Sequence, residues 1–425
     1  MTGSRPGTPP PDGTEAPPGA RTGVPSPAGS PEPAPRKQGN LAEVAAVFLR
    51  LGILGFGGPA AHIAMMREEV VVRRRWLDEG RFLDLLSVTH LIPGPNSTEL
   101  AIHLGYERAG WRGLVVAGSC FILPAALTVL ALAHLYSTFG ATPEADRFLY
   151  GVKPVILAIV AHALWGLGRS VLGDREGAPV RAALAAAVLV LYLTGVHELA
   201  LLFGAALAYA AARRAGRTPG AAVTSLSATG ARPRLAAALL AAGSGAAMVP
   251  YNPGTLFLTC LKIGSVLYGS GYVLLAFLRN DFVLRLGWLT DGQLLDAVAV
   301  GQVTPGPVFT TATFVGYLAG GWTGAAAATA GIFLPSFLFV AAIRPLADRL
   351  RHWPLTSDLL DGLNVASLAL MAGVTLQLAR QALVDGPAVA LFAGALVLLA
   401  RARVNSAWLI LAGAALGMAA ASRAA

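Results

Sequence analysis

The sequence has little charge. Asp, Glu, Lys and Arg make up only 13% of its 425 residues, whereas a soluble domain carries about a quarter. Cysteine is also scarce: Cys120 and Cys260 both lie in apolar stretches, so we predict neither a disulfide framework nor a metal site. No Cys/His spacing resembles a zinc motif, and no glycine-rich phosphate loop follows a strand pattern. These absences disfavour an enzyme, and we predict no cofactor.

Long apolar runs dominate the rest of the sequence. Hydrophobic residues make up 55% of the chain, and the mean hydropathy is +0.61. Such runs are typical of transmembrane segments. In lipid they should form helices, because every backbone polar group must be paired within the protein. The net charge of +9 does not indicate a nucleic-acid partner, since the arginines lie in short loops between apolar runs. We therefore predict an all-α polytopic membrane protein.

Residues 1–39 have a different composition from the remainder. They are rich in Pro, Gly, Ala, Thr and Ser and contain almost no large apolar residues. Such a segment cannot bury enough surface to fold, so we expect a disordered tail. It lacks the short apolar region and cleavage site of a signal peptide.

Windows of about 20 residues divide the remaining chain into thirteen apolar segments. The segment near 235–249 is short and rich in alanine, and it follows a basic stretch. The thirteen lie near 42–66, 82–104, 111–135, 148–172, 181–195, 197–212, 235–249, 254–278, 294–318, 322–343, 362–384, 386–400 and 404–421.

The chain repeats itself at an offset of 212 residues. After one deleted residue the match continues at an offset of 211. So many coincidences of Gly, Pro, Trp and Arg at one offset are not expected by chance. The matched pairs are Gly52/Gly264, Gly57/Gly269, Arg67/Arg279, Arg73/Arg285, Trp76/Trp288, Pro93-Gly94-Pro95/Pro305-Gly306-Pro307, Tyr106/Tyr317, Gly110/Gly321, Trp111/Trp322 and Pro124/Pro335.

The repeat divides the chain into an N-terminal copy at 40–212, a linker at 213–253 and a C-terminal copy at 254–421. The linker is basic at first and then contains segment 235–249, which has no counterpart in the first copy. Seven segments separate equivalent points if 235–249 crosses the membrane. An odd number of crossings turns the second copy upside down, so we predict an inverted repeat, a common transporter architecture.

The positive charges predict the orientation. With simple alternation of crossings and a cytoplasmic N-terminus, 21 Lys/Arg lie inside and 9 outside, but the five arginines of the 67–81 loop lie on the wrong side. Segments 42–66 and 82–104 are broken by glycine and proline at 55–59 and 93–95. If both are re-entrant hairpins, and their counterparts likewise, the tally becomes 24 inside and 6 outside. We favour this arrangement, with the C-terminus external.

The two Pro-Gly-Pro breaks are candidate binding sites. Proline fits the first turn of a helix, and a helix N-terminus at membrane depth offers unpaired N–H groups to an anion. Glycine allows close backbone approach at the other two breaks. The alternatives are kinked helices and tight packing through small residues. The candidates here are Gly57, Gly58, Pro59, His62, Pro93, Gly94, Pro95, Asn96, Ser97, Thr98, Gly269, Pro305, Gly306, Pro307, Thr310 and Thr311.

Charged residues within the apolar segments are further candidates. Arg50 and Lys262 occupy equivalent positions, and a cation at such depth usually faces a cavity or a partner. One cation from each copy would suit a dianionic substrate, although snorkelling to the interface is an alternative. The candidates for proton handling are Glu69, His90, Glu99 and Asp281, each of which could also be structural.

Three stretches resemble the signatures of the chromate ion transporter family in its long, two-domain form. They lie at 55–63, 93–98 and 305–313, and the similarity extends over about 40–420. The resemblance implies export of chromate across the bacterial cytoplasmic membrane, driven by the proton motive force, and chromate resistance. Some relatives are linked to sulfate. Asn96 stands where the family usually has Thr, and Glu99 and His90 stand where it usually has Gln.

Several alternatives stay open at this point. Sulfate is the nearest rival substrate, because it shares the shape and charge of chromate. A passive anion channel is a rival class, and a membrane enzyme is a remote one. The coupling ion also stays open, and so does the oligomeric state, for which a homodimer is one alternative.

Overall fold

The computed structural model describes residues 40–140, 142–173, 177–215, 249–268, 271–343, 354–402, 404 and 406–421. These residues form helices, turns and connecting segments and contain no strand. The predicted tail 1–39, almost all of the predicted helix 235–249 and the candidate Gly269 lie outside the described ranges.

The chain forms fourteen α-helices in the described ranges, interrupted by short π and 3₁₀ segments. Among the described residues, four helical stretches are long and apolar enough to cross a membrane: Asn96–Phe139, Glu144–Leu172, Val308–Ile343 and Leu355–Ala382. The helices are α1 Leu41–Leu54, α2 Gly58–Arg67, α3 Glu79–Thr89, α4 Asn96–Phe139, α5 Pro143–Leu172, α6 Ala178–Leu193, α7 Glu198–Ala215, α8 Pro253–Val266, α9 Leu274–Leu278, α10 Asp291–Val303, α11 Thr311–Ile343, α12 Pro354–Ala382, α13 Gly386–Ala402 and α14 Ser406–Ala421.

Side-chain caps fix where several helices begin. Asn40 accepts a hydrogen bond from the N–H of Ala42 at the start of α1, at 2.9 Å. Asp78 accepts from Arg81 at the start of α3, at 2.8 Å. In the second copy, Thr290 forms a capping box with Gln293 ahead of α10. Each cap satisfies an N–H group that the helix leaves unpaired.

The two copies share local structure as well as sequence. A π-helical segment follows α2 at Glu68–Arg73, and another follows α9 at Arg279–Arg285. Within α4, Gly110 has φ 61° and ψ −148°, and Gly321 within α11 has the same pair of angles. Such a matched departure from helical geometry places a break at the same point of each copy.

The break in α4 reverses the chain. A Cβ atom added to Gly105 would lie 3.0 Å from the carbonyl carbon of Gly113, whereas eight residues of straight helix span about 12 Å. Residues 96–108 therefore fold back as a short limb against a long limb at 111–139. Gly316 and Gly324 touch in the same way in α11. Glycine allows the two limbs of each hairpin to meet backbone to backbone.

The ends of the first two helical segments of copy one meet at a single face. The carboxylate of Glu43, at the start of α1, accepts hydrogen bonds from Arg74 at 3.0 Å and Arg108 at 2.9 Å. Arg81, at the start of α3, pairs with Glu107 at 2.7 Å. Residues 41–74 and 79–108 therefore each begin and end on this side, which we call the Arg108 face.

The corresponding turns of copy two meet at the other end of the long limb. The Tyr251 ring packs 5.5 Å from the Trp288 ring and against Gly320. Near the end of α4, His134 lies 2.8 Å from the Tyr317 hydroxyl and 5.5 Å from the Trp322 ring. We call this side the Trp322 face. Residues 111 and 134 of a helix are about 35 Å apart, so the two faces are separated by the long limb.

Candidate functional site

Each Pro-Gly-Pro break forms a backbone hydrogen bond to the other copy of the repeat. The N–H of Gly94 donates to the carbonyl oxygen of Leu267, which directly follows α8, at 2.8 Å. The N–H of Gly306 donates to the carbonyl oxygen of Gly55, which directly follows α1, also at 2.8 Å. The exchange is reciprocal, because each break bonds the equivalent residue of the other copy. It brings four broken helix ends to one place, which we call the central site.

Both central glycines have a conformation and surroundings that favour glycine. Gly94 has φ +136°, and an added Cβ atom would lie 2.9 Å from the Ser336 hydroxyl oxygen. Gly306 has φ +96°, and its Cβ atom would lie 2.6 Å from Cβ of Ala125. Residues with a side chain rarely adopt such φ values. Any larger residue would therefore push the two copies apart at their crossing.

The predicted residues His62 and Ser97 both belong to the central site. His62 is 2% exposed. Its Nε2 lies 2.8 Å from the Gly55 carbonyl oxygen, and its Nδ1 lies 3.3 Å from the Ser97 hydroxyl. Because a carbonyl only accepts, Nε2 carries the proton and the Ser97 hydroxyl donates to Nδ1. His62 thus ties the end of α1 to the start of the short limb.

The tip of the first hairpin gives His62 its position. Gly57 and Gly58 have φ +105° and +77°, and Pro59 lies in the first turn of α2. The positive φ values turn the chain sharply, and proline suits the start of a helix because its missing N–H would be unpaired there.

Three polar side chains, two from the first copy and one from the second, are buried near the Pro93-Gly94-Pro95 break. Thr98, Glu99 and Ser336 are each 0% exposed, and none of their side-chain oxygens has a hydrogen-bond partner in the described part of the chain. Glu99 and Ser336 converge on Gly94. Buried polar groups are rarely left unpaired, so this cluster is the strongest local indication of a ligand or proton site.

The second copy provides a less polar half. Thr311 takes the place of Glu99 at the repeat offset, and Val308 takes that of Asn96. The hydroxyl groups of Thr310 and Thr311 bond to the Pro307 and Val308 carbonyls at 2.8 and 2.7 Å. A cavity of about 10 Å³ borders Val308 and Thr311. It has room for at most one water.

Two other predicted residues pair with each other. The Asn96 side-chain amide lies 3.0 Å from Nδ1 of His90, so the amide donates and the imidazole nitrogen accepts. His90 caps the end of α3 and Asn96 begins the short limb. The pair therefore bridges the Pro93-Gly94-Pro95 break.

The predicted cation Lys262 pairs with a residue of the second π-helical segment. The Lys262 ammonium lies 2.7 Å from Asp281 Oδ1 and 3.8 Å from the Glu198 carboxylate. The Asp281 carboxylate also accepts a hydrogen bond from Arg285 at 2.8 Å. Lys262 is thus already neutralised by two buried carboxylates. Glu198 also pairs with Asn280.

Arg50 has different surroundings from Lys262. It is exposed and lines a cavity of about 380 Å³ together with Glu69 and Arg73. Glu69 pairs with Arg74 at 2.8 Å. The first copy therefore offers a cation at an open cavity, whereas the equivalent cation of the second copy lies within an ion-pair network.

Three residues that the structure brings to these places were not predicted from the sequence. Ser336 and the Leu267 carbonyl lie at the central site, and Glu198 joins the Lys262 network. Glu198, an acid at the start of an apolar helix, was the one detectable signal, because a charge next to a membrane segment usually has a partner. Ser336 and Leu267 carry no local signal, since only the packing of distant helices places them.

The fold and the central site define an integral membrane protein of the transporter class. Helices broken by Pro and Gly, with half-helix ends facing each other inside an apolar bundle, are typical of transporter binding sites. The sequence model of the Chromate transporter family matches residues 42–210 and 254–418. The chain therefore belongs to the chromate transporter family.

Individual relatives match most of the chain. It is 33% identical over 382 residues to a chromate transport protein of Cupriavidus metallidurans, covering 89% of this chain and 92% of the relative. It is 34% identical over 359 residues to a chromate transport protein of Pseudomonas aeruginosa, covering 80% and 81%. A probable chromate transport protein of Synechococcus elongatus is 31% identical, covering 82% and 87%. No solved structure matches the chain.

Proposed function

We propose that this protein is a secondary transporter that exports chromate across the bacterial cytoplasmic membrane and so confers chromate resistance. The observation that carries the proposal is the reciprocal bonding of the two Pro-Gly-Pro breaks, through Gly94 with Leu267 and Gly306 with Gly55. A site made from equivalent parts of two copies can face either side of the membrane when the copies move against each other. Membership of the chromate transporter family supports chromate as the substrate.

The anion binds between the breaks in this proposal. The N-termini of the two half-helices present N–H groups and the positive ends of helix dipoles to it. Asn96, Ser97 and Thr98 add polar side chains in the first copy. In the second copy, Thr310 and Thr311 add theirs only when their hydroxyl groups leave the Pro307 and Val308 carbonyls to which they now donate. Arg50 attracts the dianion from its open cavity.

The contacts at the two faces support an inverted repeat. The turns of copy one lie with Arg108 at one end of the long limb, and those of copy two lie with Trp322 at the other end. Equivalent parts of the two copies thus point in opposite directions. The predicted crossing at 235–249 would make the number of membrane crossings between the two copies odd, as an inverted repeat requires.

The helix lengths and ion pairs support the re-entrant hairpins. Helices α1 and α2 have 14 and 10 residues, or about 21 and 15 Å, which is too short to cross a hydrocarbon core of about 30 Å. Glu43 and Arg74 pair at 3.0 Å although they stand at opposite ends of this segment. The segment therefore enters and leaves at the Arg108 face, which the arginines of the 67–81 loop mark as cytoplasmic.

This topology predicts where reporters will be found. A reporter in the 213–234 loop should be cytoplasmic, and one beyond Ser422 should be external. The second expectation follows because Gly417 packs against Arg147 at the start of α5, and α5 begins just after the Trp322 end of α4.

A cysteine replacing Val72, which is 48% exposed, should react with an impermeant maleimide in inside-out vesicles. Labelling of Val72→Cys in intact cells instead would rule out the first hairpin.

Cells that produce the protein should accumulate less chromate than cells with an empty vector. The negative interior of the cell repels the anion, so dissipating the membrane potential should abolish the difference. The measurement is cell-associated radiolabelled chromate, with protein quantified in the membrane fraction. Equal accumulation in the presence of well-produced protein would contradict export.

A further inference from the structure

Glu99 is a buried carboxyl group without a cation to neutralise it. It is 0% exposed, and no ion pair involves it in the described part of the chain. The other predicted acids have basic partners: Glu69 has Arg74, and Asp281 has Lys262. An unpaired carboxylate at this depth is costly, so an arrangement that keeps one here calls for an explanation.

The groups that face Glu99 are polar or aromatic. Ser336, on α11, meets it at Gly94. Tyr268, just beyond α8, is close enough for the two groups to interact electrostatically. On its own limb, Thr98 precedes it and His103 follows one turn later. His62 reaches the same limb through Ser97 but bonds the Gly55 carbonyl with its other nitrogen. None of these groups is an Arg or a Lys.

A tetrahedral oxyanion at the start of the short limb would lie next to this carboxyl group. Glu99 stands in the first turn after the break and folds back against Gly94. Like charges at about 4 Å repel by roughly 4 kcal/mol per pair of unit charges at an effective dielectric constant of 20. A dianion and an ionised Glu99 therefore exclude each other from the central site.

We propose that Glu99 takes up a proton when the oxyanion binds, so that proton and anion occupy the central site together. The proton comes from solvent on the side from which the anion enters, and it leaves again when the anion leaves. The protonated carboxyl group can also donate a hydrogen bond to an anion oxygen or to Ser336. The inference rests on the proposed function, because it concerns the same site and the same substrate class.

The proposal fixes the sign of the coupling. If anion and proton bind together, the bound anion raises the affinity for the proton. The bound proton then raises the affinity for the anion by the same factor, because linkage is reciprocal. One dianion with one proton moves a net single negative charge. The membrane potential then drives export, whereas an inward proton gradient opposes it. An antiporter would show the opposite linkage, with anion binding releasing a proton.

The repeat limits the coupling to one copy. Thr311 occupies the position equivalent to Glu99, and its hydroxyl is bonded to the Val308 carbonyl. We therefore expect the protein to take up about one proton for each anion that binds, and Glu99 alone should account for this uptake.

Calorimetry on the purified full-length protein tests the proposal. Chromate is titrated at a series of pH values above its second ionisation, in pairs of buffers with different ionisation enthalpies, so that protons taken up by the protein are counted. Sulfate, which does not titrate in this range, is the second probe. The variant is Glu99→Gln, and the control is Glu144→Gln, an exposed acid at the start of α5.

The wild type and Glu144→Gln should take up a proton with each anion. Their affinity should fall by up to tenfold per pH unit once Glu99 is ionised in the free protein. Glu99→Gln should bind with no uptake and with an affinity independent of pH. Binding without proton uptake by the wild type at every pH of the series, or binding with proton release, would overturn the proposal while leaving transport intact. Failure of wild-type protein to bind either anion would instead count against the proposed function.

Discussion

Replacing Gly94 with Ala is expected to abolish chromate transport. The new Cβ atom would lie 2.9 Å from the Ser336 hydroxyl oxygen and would meet the Glu99 carboxyl group, and the backbone has φ +136°. A non-glycine residue in such a region costs about 1–3 kcal/mol of strain. The strain is relieved only by moving the break, which breaks the Gly94 hydrogen bond to Leu267. Initial rates of chromate uptake into inside-out vesicles measure the loss.

Gly166→Ala is the matched control for this substitution. Gly166 lies in α5, and a Cβ atom added there would meet nothing within 4 Å. Alanine is the better helix former by about 1 kcal/mol, so transport and stability should be unchanged or slightly improved. If Gly94→Ala were as active as Gly166→Ala, the central crossing would have no part in transport.

Replacing Lys262 with Gln is expected to destabilise the protein strongly. The change leaves Asp281, which is 0% exposed, with Arg285 alone. It also removes the ammonium group that lies 3.8 Å from Glu198, which is 1% exposed. Removing one partner of a buried ion pair costs about 3–5 kcal/mol. The lower end applies here, because the Lys262 side chain is 28% exposed. The measurements are the yield of monodisperse protein and the thermal unfolding midpoint in detergent.

Two further variants separate a structural role of Lys262 from substrate binding. Arg50→Gln, at the equivalent position of copy one, should leave stability almost unchanged because Arg50 is exposed at a cavity. Adding Asp281→Asn to Lys262→Gln should restore part of the lost stability, since the unpaired carboxylate is removed. A Lys262→Gln protein with normal stability and no transport would show that Lys262 holds the anion directly.

The sequence could predict the breaks because their chemistry is local. Proline removes a backbone donor and glycine permits positive φ, so Pro93-Gly94-Pro95 and its counterpart are visible without any tertiary information. The repeat offset also matched Gly110 with Gly321, and the structure gives these two residues the same backbone geometry. The apolar runs predicted a helical membrane protein for the same reason: lipid leaves the backbone few alternatives.

The partners across the central site could not be predicted. The bonds from Gly94 to Leu267 and from Gly306 to Gly55 join residues more than 170 positions apart, and no local pattern records such packing. Lys262 shows the same limit. Its depth indicated a functional cation, but whether a buried cation faces substrate or carboxylates depends on which helix packs beside it, and here α7 brings Glu198.

The most direct test of the central claim is the uptake of radiolabelled chromate by inside-out membrane vesicles, whose interior corresponds to the outside of the cell. We expect uptake when the potential is positive inside the vesicle, competition by unlabelled chromate, weaker or equal competition by sulfate, and none of this uptake in Gly94→Ala vesicles. Equal uptake by vesicles with and without the protein, at matched potential and with the protein confirmed in the membrane, would contradict the account.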